Sequence, residues 1–369
     1  MLDRNESAKF DTSTSGSEAM PDIASKPIAK LSQMDRFLPI WILAAMSLGL
    51  GLGKMIPSLQ TTLDSVRIEG TSLPIALGLL MMMYPVLAKV NYSEMSELKS
   101  DKKLLISSLI LNWLVGPALM FSLAWIFLYN EPQYRTGLIV IGLARCIAMV
   151  LIWNDLACGS REAATLLVAI NSVFQILAYA LLGTFYLKIL PAWLGLQSFN
   201  IAFSTWDITK AVLIFLGVPL VAGYFTRRIG IKRKGSVWYD GVFAKKIGPF
   251  ALYGLLFTIV IMFALQGKAI TSSPGVVLRV ALPLMIYFLL MWGVSYIFGR
   301  TVGLSYEKTT TLAFTAAGNN FELAIAVSIG VWGITSGQAM VGVIGPLIEV
   351  PALLALVYIS LWLRKRFVS

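Results

Sequence analysis

Arg145 and Cys146 stand side by side inside the apolar stretch Leu143–Asp155, LARCIAMVLIWND. A guanidinium at lipid depth costs free energy and marks a functional position. A thiol beside it supplies a soft donor. A third reactive group, Glu322, lies in a separate apolar run directly after Gly318-Asn319-Asn320-Phe321. At 1.5 Å per helical residue, Arg145 lies about 12 Å in from Gly137, and Glu322 about 18 Å in from Thr310 on the opposite face. The two reach similar depths. A fourth, Glu349, is bracketed by Pro346 and Pro351, where a helix is expected to kink.

Each residue carries a plain reading and a chemical one. Cys146 is either a small apolar filler or a sulfur ligand, and the adjacent cation and central depth favour the ligand. Gly318, Asn319 and Asn320 are poor helix formers, so they read as a broken stretch offering carbonyl and amide groups. Irregular backbone at such depth is tolerated only where it is buried or lines a cavity. Glu322 is either an interhelical hydrogen-bond partner or a carboxyl that takes and releases a proton. Arg145 is either a direct ligand or the counter-charge of Glu322. Glu349 either tunes a proton site or satisfies backbone groups freed by its prolines. Cys158 reads as a bystander, Asn112 and Asn171 as links between helices, and Asn154 and Asp155 as the cytoplasmic end of a span. The run Met81 to Met83 reads as packing.

The elements that must position these groups are membrane helices. The chain has 369 residues, 57% hydrophobic and 13% charged, with a mean hydropathy of +0.77. Soluble domains carry about 25% charged residues. Ten apolar runs are long enough to cross a hydrocarbon core of ~30 Å. They are Phe37–Ile56, Pro74–Val90, Leu104–Leu128, Gly137–Ala157, Ala163–Leu187, Ile208–Phe225, Ile247–Leu265, Val276–Phe298, Thr310–Trp332 and Ala339–Leu363. The polar segment 1–36 reads as a disordered cytoplasmic tail with no secretory signal. With that tail inside, 22 of the 30 Lys and Arg fall on the cytoplasmic side, seven on the outer side, and Arg145 alone deep within a span. Both termini are therefore expected in the cytoplasm. The net charge of +11 reflects this orientation signal and not nucleic-acid binding.

Several classes drop out. Histidine is absent, which removes imidazole proton relays, His metal ligands and the Ser/His/Asp triad. Two cysteines make no disulfide framework. No Gly-rich loop ending in Lys-Ser or Lys-Thr is present, so no nucleotide is expected to be hydrolysed.

A weak internal repeat orders the spans. A shift of 176 residues lays Gly142–Cys146 on Gly318–Glu322, Ala148 on Ala324, Ser160 on Ser336, Ala163 on Ala339 and Leu177 on Leu353. It makes Cys146 and Glu322 mates, and maps the fourth span on the ninth and the fifth on the tenth. Five spans separate the copies, so they are inverted in the membrane, a transporter signature with sites where the repeats meet. The expected organisation is the tail 1–36, a first five-helix repeat over 37–190 and a second, inverted one over 205–369.

The stretches Leu143–Val150, Trp153–Asp155 and Gly318–Ala324 resemble the arsenite permease family of the bile acid/arsenite/riboflavin transporter superfamily, and the likeness runs from about Phe37 to the end. It implies an all-α polytopic fold of ten helices in two inverted five-helix repeats. It also implies discontinuous fourth and ninth helices crossing near the midplane. The activity implied is export of trivalent arsenic, arsenite and also antimonite, in exchange for protons across the cell membrane, not an enzymatic reaction. The family's essential cysteine matches Cys146, the metalloid ligand, and its acid matches Glu322. Trivalent arsenic is thiophilic, and a single thiolate gives a reversible bond. Asn319, Asn320 and Arg145 are the accompanying substrate-binding candidates, and Glu349 joins Glu322 as a proton-coupling candidate. No cofactor is implied; the partners are arsenite or antimonite, protons and the lipid bilayer, without nucleic acid, nucleotide or a defined oligomeric state. The rivals are a sodium-coupled organic anion symporter of the same fold and a membrane receptor that moves no solute.

Overall fold

Apolar runs in lipid have no water to bond their backbone groups, so they close hydrogen bonds locally as helices. The computed structural model describes residues 37–56, 58–59, 67–68, 71–90, 101–147, 149–196, 204–272 and 274–367, and they are helical almost throughout. The tail 1–36 and Ala148 lie outside the described residues. Helices α1 Leu38–Met55, α2 Leu73–Ala88 and α3 Lys102–Phe127 come first. Two short helices follow, α4 Pro132–Leu143 and α5 Met149–Leu156. Four long ones are α6 Arg161–Trp193, α7 Thr205–Lys234, α8 Ser236–Leu265 and α9 Pro274–Thr301. A second short pair, α10 Tyr306–Ala317 and α11 Phe321–Trp332, precedes α12 Gly337–Phe367. Helices α3, α6, α7, α8, α9 and α12 are each long and apolar enough to cross a bilayer, and α1, α2 and α11 are shorter apolar helices. Among the described residues the one strand pair is short and antiparallel, Arg67–Ile68 with Thr71–Ser72, and the protein is a multi-pass membrane protein built of helices.

Several helices outrun the apolar stretches that announce them. The run ending at Phe225 continues helically to Lys234, because helical hydrogen bonds close within the chain whatever the solvent. Arg135, expected in an outer loop, instead lies buried in α4. Its guanidinium sits 3.7 Å from the Trp125 ring centre and donates to the carbonyls of Leu128 and Tyr129 at the end of α3.

Prolines shape α3, α6 and α7. Each has one widened π-turn, at Leu111–Val115, Phe185–Ile189 and Leu213–Gly217. Pro117, Pro191 and Pro219 follow two residues later. A proline lacks an N–H and collides with the carbonyl four residues back, and a π-turn relieves both conflicts.

The helices pack in two groups. One contains α1, α2, α7 and α8; the other is built around α3, α4, α6 and α9 to α12. Small residues let backbones approach in the first group. A Cβ at Gly49 would stand 2.5 Å from the Val260 carbonyl oxygen, and one at Gly53 would collide with that of Ala264.

Candidate functional site

The second group holds the candidate residues at two breaks in the helical chain. Helix α4 ends at Leu143, and Ala144 turns extended at φ −93°, ψ 120°. Helix α10 ends at Ala317, and Gly318 turns extended at φ −70°, ψ 139°. The two extended pieces lie antiparallel, with Arg145 paired to Asn319. The Cys146 N–H donates to the Gly318 carbonyl at 3.2 Å, and the Asn320 N–H donates to the Ala144 carbonyl at 3.0 Å. Neither segment could stay unwound in lipid alone, since each supplies the backbone partners the other lacks.

The side chains finish the half-helix ends. Asn319 Nδ2 donates to the carbonyls of Ile141 (2.9 Å) and Ala144 (3.2 Å), closing the end of α4. Asn320 Oδ1 accepts from the Leu323 N–H at 2.9 Å, capping the start of α11. A Cβ on Gly318 would come within 3.0 Å of the Cys146 Cβ, so glycine leaves room for that cysteine beside the crossing.

Arg145 is fully buried. Its Nη1 donates to the Tyr287 hydroxyl of α9 at 3.0 Å and to the Ala316 carbonyl of α10 at 3.1 Å, and its Nη2 donates to the Gly142 carbonyl of α4. Gly116 of α3 makes space for the guanidinium, since a Cβ there would stand 2.9 Å from Nη1. Among the described residues, the hydrogen-bond partners of its guanidinium include no carboxylate, so a counter-charge at Glu322 is not what holds it. The C-terminal ends of α4 and α10 do that instead. Their unpaired carbonyls and negative dipole ends converge on one cation.

Glu322 sits in the first turn of α11, at a helix N-terminus where a carboxylate is favoured. Glu349 is buried in α12, its carboxylate facing the Asn319 N–H. Helix α12 stays helical through Pro346 and Pro351. Both carboxyls lie within electrostatic range of the Cys146 sulfur. The structure therefore brings Arg145, Cys146, Asn319, Asn320, Glu322 and Glu349 to one place.

Arg145 faces Asn319, and the two crossing hydrogen bonds exchange when each residue of one extended piece is swapped with the residue 174 positions away in the other. Farther on, the helix caps Ser160 and Ser336 keep the shift of 176, each accepting from the N–H three residues ahead.

Residues 76–273 match the Sodium Bile acid symporter family. The chain is 57% identical over 342 residues to Arsenical-resistance protein Acr3 of Corynebacterium glutamicum, covering 93% of this chain and 92% of that protein. The chain belongs to the arsenite permease family. Another member of that name, from Alkaliphilus metalliredigens, is 30% identical over 88% of this chain and 92% of its own. An uncharacterized transporter of Synechocystis is 33% identical over 91% and 90%. Arsenite permeases are transporters and not enzymes.

Two residues of this permease site are not anticipated by its motifs. Gln175 of α6 accepts the Arg145 N–H through Oε1, and Tyr287 of α9 accepts from the Arg145 guanidinium. The signal for Gln175 is visible, a buried amide in an apolar run. Gln175 stands 30 residues after Arg145, as Glu349 stands after Asn319, and each accepts or faces the backbone N–H of its unwound partner. Of the two expected helix links, Asn171 does join helices, accepting from Trp113 Nε1 at 3.1 Å. Asn112 instead donates to Ser108 of its own helix. Asn154 accepts from the Thr311 hydroxyl at 2.7 Å, tying the end of α5 to α10. Cys158 lies in the turn after α5 at φ 55°, away from the crossing.

Proposed function

We propose that this protein extrudes trivalent arsenic from the cytoplasm in exchange for protons, with Cys146 as the metalloid ligand. One observation carries the reading. Polar atoms of the crossing residues are buried without a partner: Arg145 Nε, Gln175 Nε2, Asn319 Oδ1, Asn320 Nδ2 and Glu349 Oε1. They include both donors and acceptors, and leaving them unpaired is costly. Arsenite, a neutral trihydroxide, offers the complementary hydroxyls and a soft centre for the Cys146 sulfur.

Binding proceeds by exchange at arsenic. One As–O bond breaks, an As–S bond to Cys146 forms, and the thiol proton leaves with the hydroxyl as water; release is the reverse. Asn319, Asn320 and Arg145 hold the remaining hydroxyls. On the outer side, a proton taken by Glu322 weakens the site and frees the metalloid, and Glu349 tunes that proton equilibrium. Antimonite follows the same chemistry. The relatives named for arsenical resistance support this reading.

The carriage is that of an inverted-repeat transporter in the cell membrane. Six long helices, the shorter α1 and α2, and the pairs α4–α5 and α10–α11 are read as ten crossings. They divide into inverted halves over 37–190 and 205–369, with both termini cytoplasmic. Arsenite flux into inverted vesicles under an imposed pH gradient tests the proposal. Wild type accumulates arsenite and Cys146→Ala does not; undiminished transport by the variant would remove the thiol from the mechanism. A second reading, sodium-coupled organic anion symport, is favoured by the name of the matched family. Transport that requires sodium and ignores a pH jump would select it.

A further inference from the structure

The most basic segment of the described chain lies far from the crossing, at the elbow between α7 and α8. Between Arg227 and Lys246 the sequence places seven Lys and Arg and one acid, Asp240. Charge alone would serve only to orient the chain. Here it borders a groove of about 460 Å³, walled on α7 by Ala222, Phe225 and Ile229 and on α8 by Trp238, Tyr239 and Phe243.

The groove is rigidly built. Gly235, at φ 83°, ends α7 and lets α8 begin at the next residue. Arg227 spans the elbow with a two-pronged ion pair to Asp240, at 2.8 and 3.2 Å, and its guanidinium carbon lies 5.2 Å from the Tyr239 ring centre. The Tyr239 hydroxyl donates to the Ala88 carbonyl at 3.1 Å, fastening the elbow to the end of α2. Asp240 is thereby occupied by Arg227, which leaves the rim strongly positive.

The cations continue the groove's own surface. Arg233 falls four residues after Ile229, on the same face of α7. The ammonium of Lys234 stands 4.5 Å from the centre of the Trp238 ring that forms the opposite wall. Lys232, Arg233 and Lys234 are all exposed. Phe225 and Ile229 are about half exposed although apolar. An apolar slot opening at a cluster of cations matches a molecule with a hydrocarbon chain and an anionic head. We infer that this elbow binds an anionic phospholipid, acyl chain in the groove and headgroup phosphate at Lys232, Arg233 and Lys234. The aromatic wall serves as an interfacial anchor.

Native mass spectrometry of the purified protein with phosphatidylglycerol or phosphatidylcholine tests the site. Wild type should retain phosphatidylglycerol preferentially. Replacing Lys232, Arg233 and Lys234 together with Gln should weaken that retention by roughly tenfold or more and leave phosphatidylcholine unaffected. Ala222→Phe keeps every cation and narrows the groove, so it should also weaken phosphatidylglycerol binding. Equal retention of the two lipids by wild type overturns the inference, as does full phosphatidylglycerol binding by either variant. Unchanged arsenite flux in both variants would verify that they are folded, since neither touches the crossing.

Discussion

Arg145 and Asn319 face each other as an antiparallel pair across the two helix breaks, and each finishes a helix that the other's strand interrupts. Asn319 donates both its amide hydrogens to carbonyls near the end of α4. Arg145 reaches carbonyls of α4 and of α10. The crossing is thus a mutual capping arrangement. It explains how two unwound segments persist away from water.

Asn319→Asp should fail despite its near-identical shape. Aspartate cannot donate to Ile141 and Ala144, and would point an acceptor at two carbonyls. A loss of about 2 kcal/mol is expected from two hydrogen bonds, with transport lost as well. A thermal midpoint equal to wild type would exclude the capping role.

Tyr287→Phe removes one acceptor from the Arg145 guanidinium and keeps the ring. The expected cost is about 1 to 2 kcal/mol, since a hydrogen bond to a charged group is involved. Arg145→Lys should be worse, because a point charge cannot reach Tyr287, Ala316 and Gly142 as a planar fork does. Thermal unfolding in detergent ranks the three proteins, and a fully stable Arg145→Lys contradicts the fork requirement.

Gln175 should behave as a positioning residue. Gln175→Leu leaves the buried Arg145 N–H without its acceptor, at about 1 to 3 kcal/mol. Gln175→Glu keeps an oxygen there and should restore the fold in neutral buffer. Hydrogen exchange of the Arg145 amide distinguishes this from lost packing, since only Leu should accelerate it.

Glu322→Gln separates binding from coupling. The variant keeps size and polarity but cannot carry a proton, so arsenite should still bind while the pH gradient no longer drives accumulation. Accumulation that still follows the gradient would move the coupling elsewhere, with Glu349 the next group to examine.

Asp101 offers a pH test outside the spans. It caps α3 by accepting from the Leu104 N–H at 3.1 Å, and pairs with Lys308 at 2.6 Å. Burial alone would raise its carboxyl, but Lys308 and the Leu104 N–H outweigh that and hold it below its ordinary value. Because the folded value is the lower one, the stabilisation is present above about pH 4 and fades as pH falls further. Wild type and Asp101→Asn should differ by only about 0.5 kcal/mol near neutrality, given the exposure of the pair. Their thermal midpoints should converge in acid; a gap that persists there argues against the ion pair.

The membrane class, the helices and the break at Gly318 to Asn320 are legible in the residues, whereas the break after Leu143 is implied only by the family resemblance. Hydropathy is a local property, and Gly318, Asn319 and Asn320 are locally poor helix formers whatever surrounds them. Cys146 and Glu322 stood out because polar groups are costly in lipid.

By itself, the sequence determined that this chain lives in a bilayer, that Gly318, Asn319 and Asn320 interrupt a helix, and which polar side chains fall inside apolar runs. Only the tertiary structure decided what those groups bond. A cation at lipid depth needs compensation, but the sequence names neither a carboxylate nor a helix end as its source. The convergence of α4 and α10 supplied carbonyls in place of Glu322, and α6 and α9 brought Gln175 and Tyr287. Such partners depend on how helices pack in space, and that is set by the sum of many contacts and by no short stretch of residues.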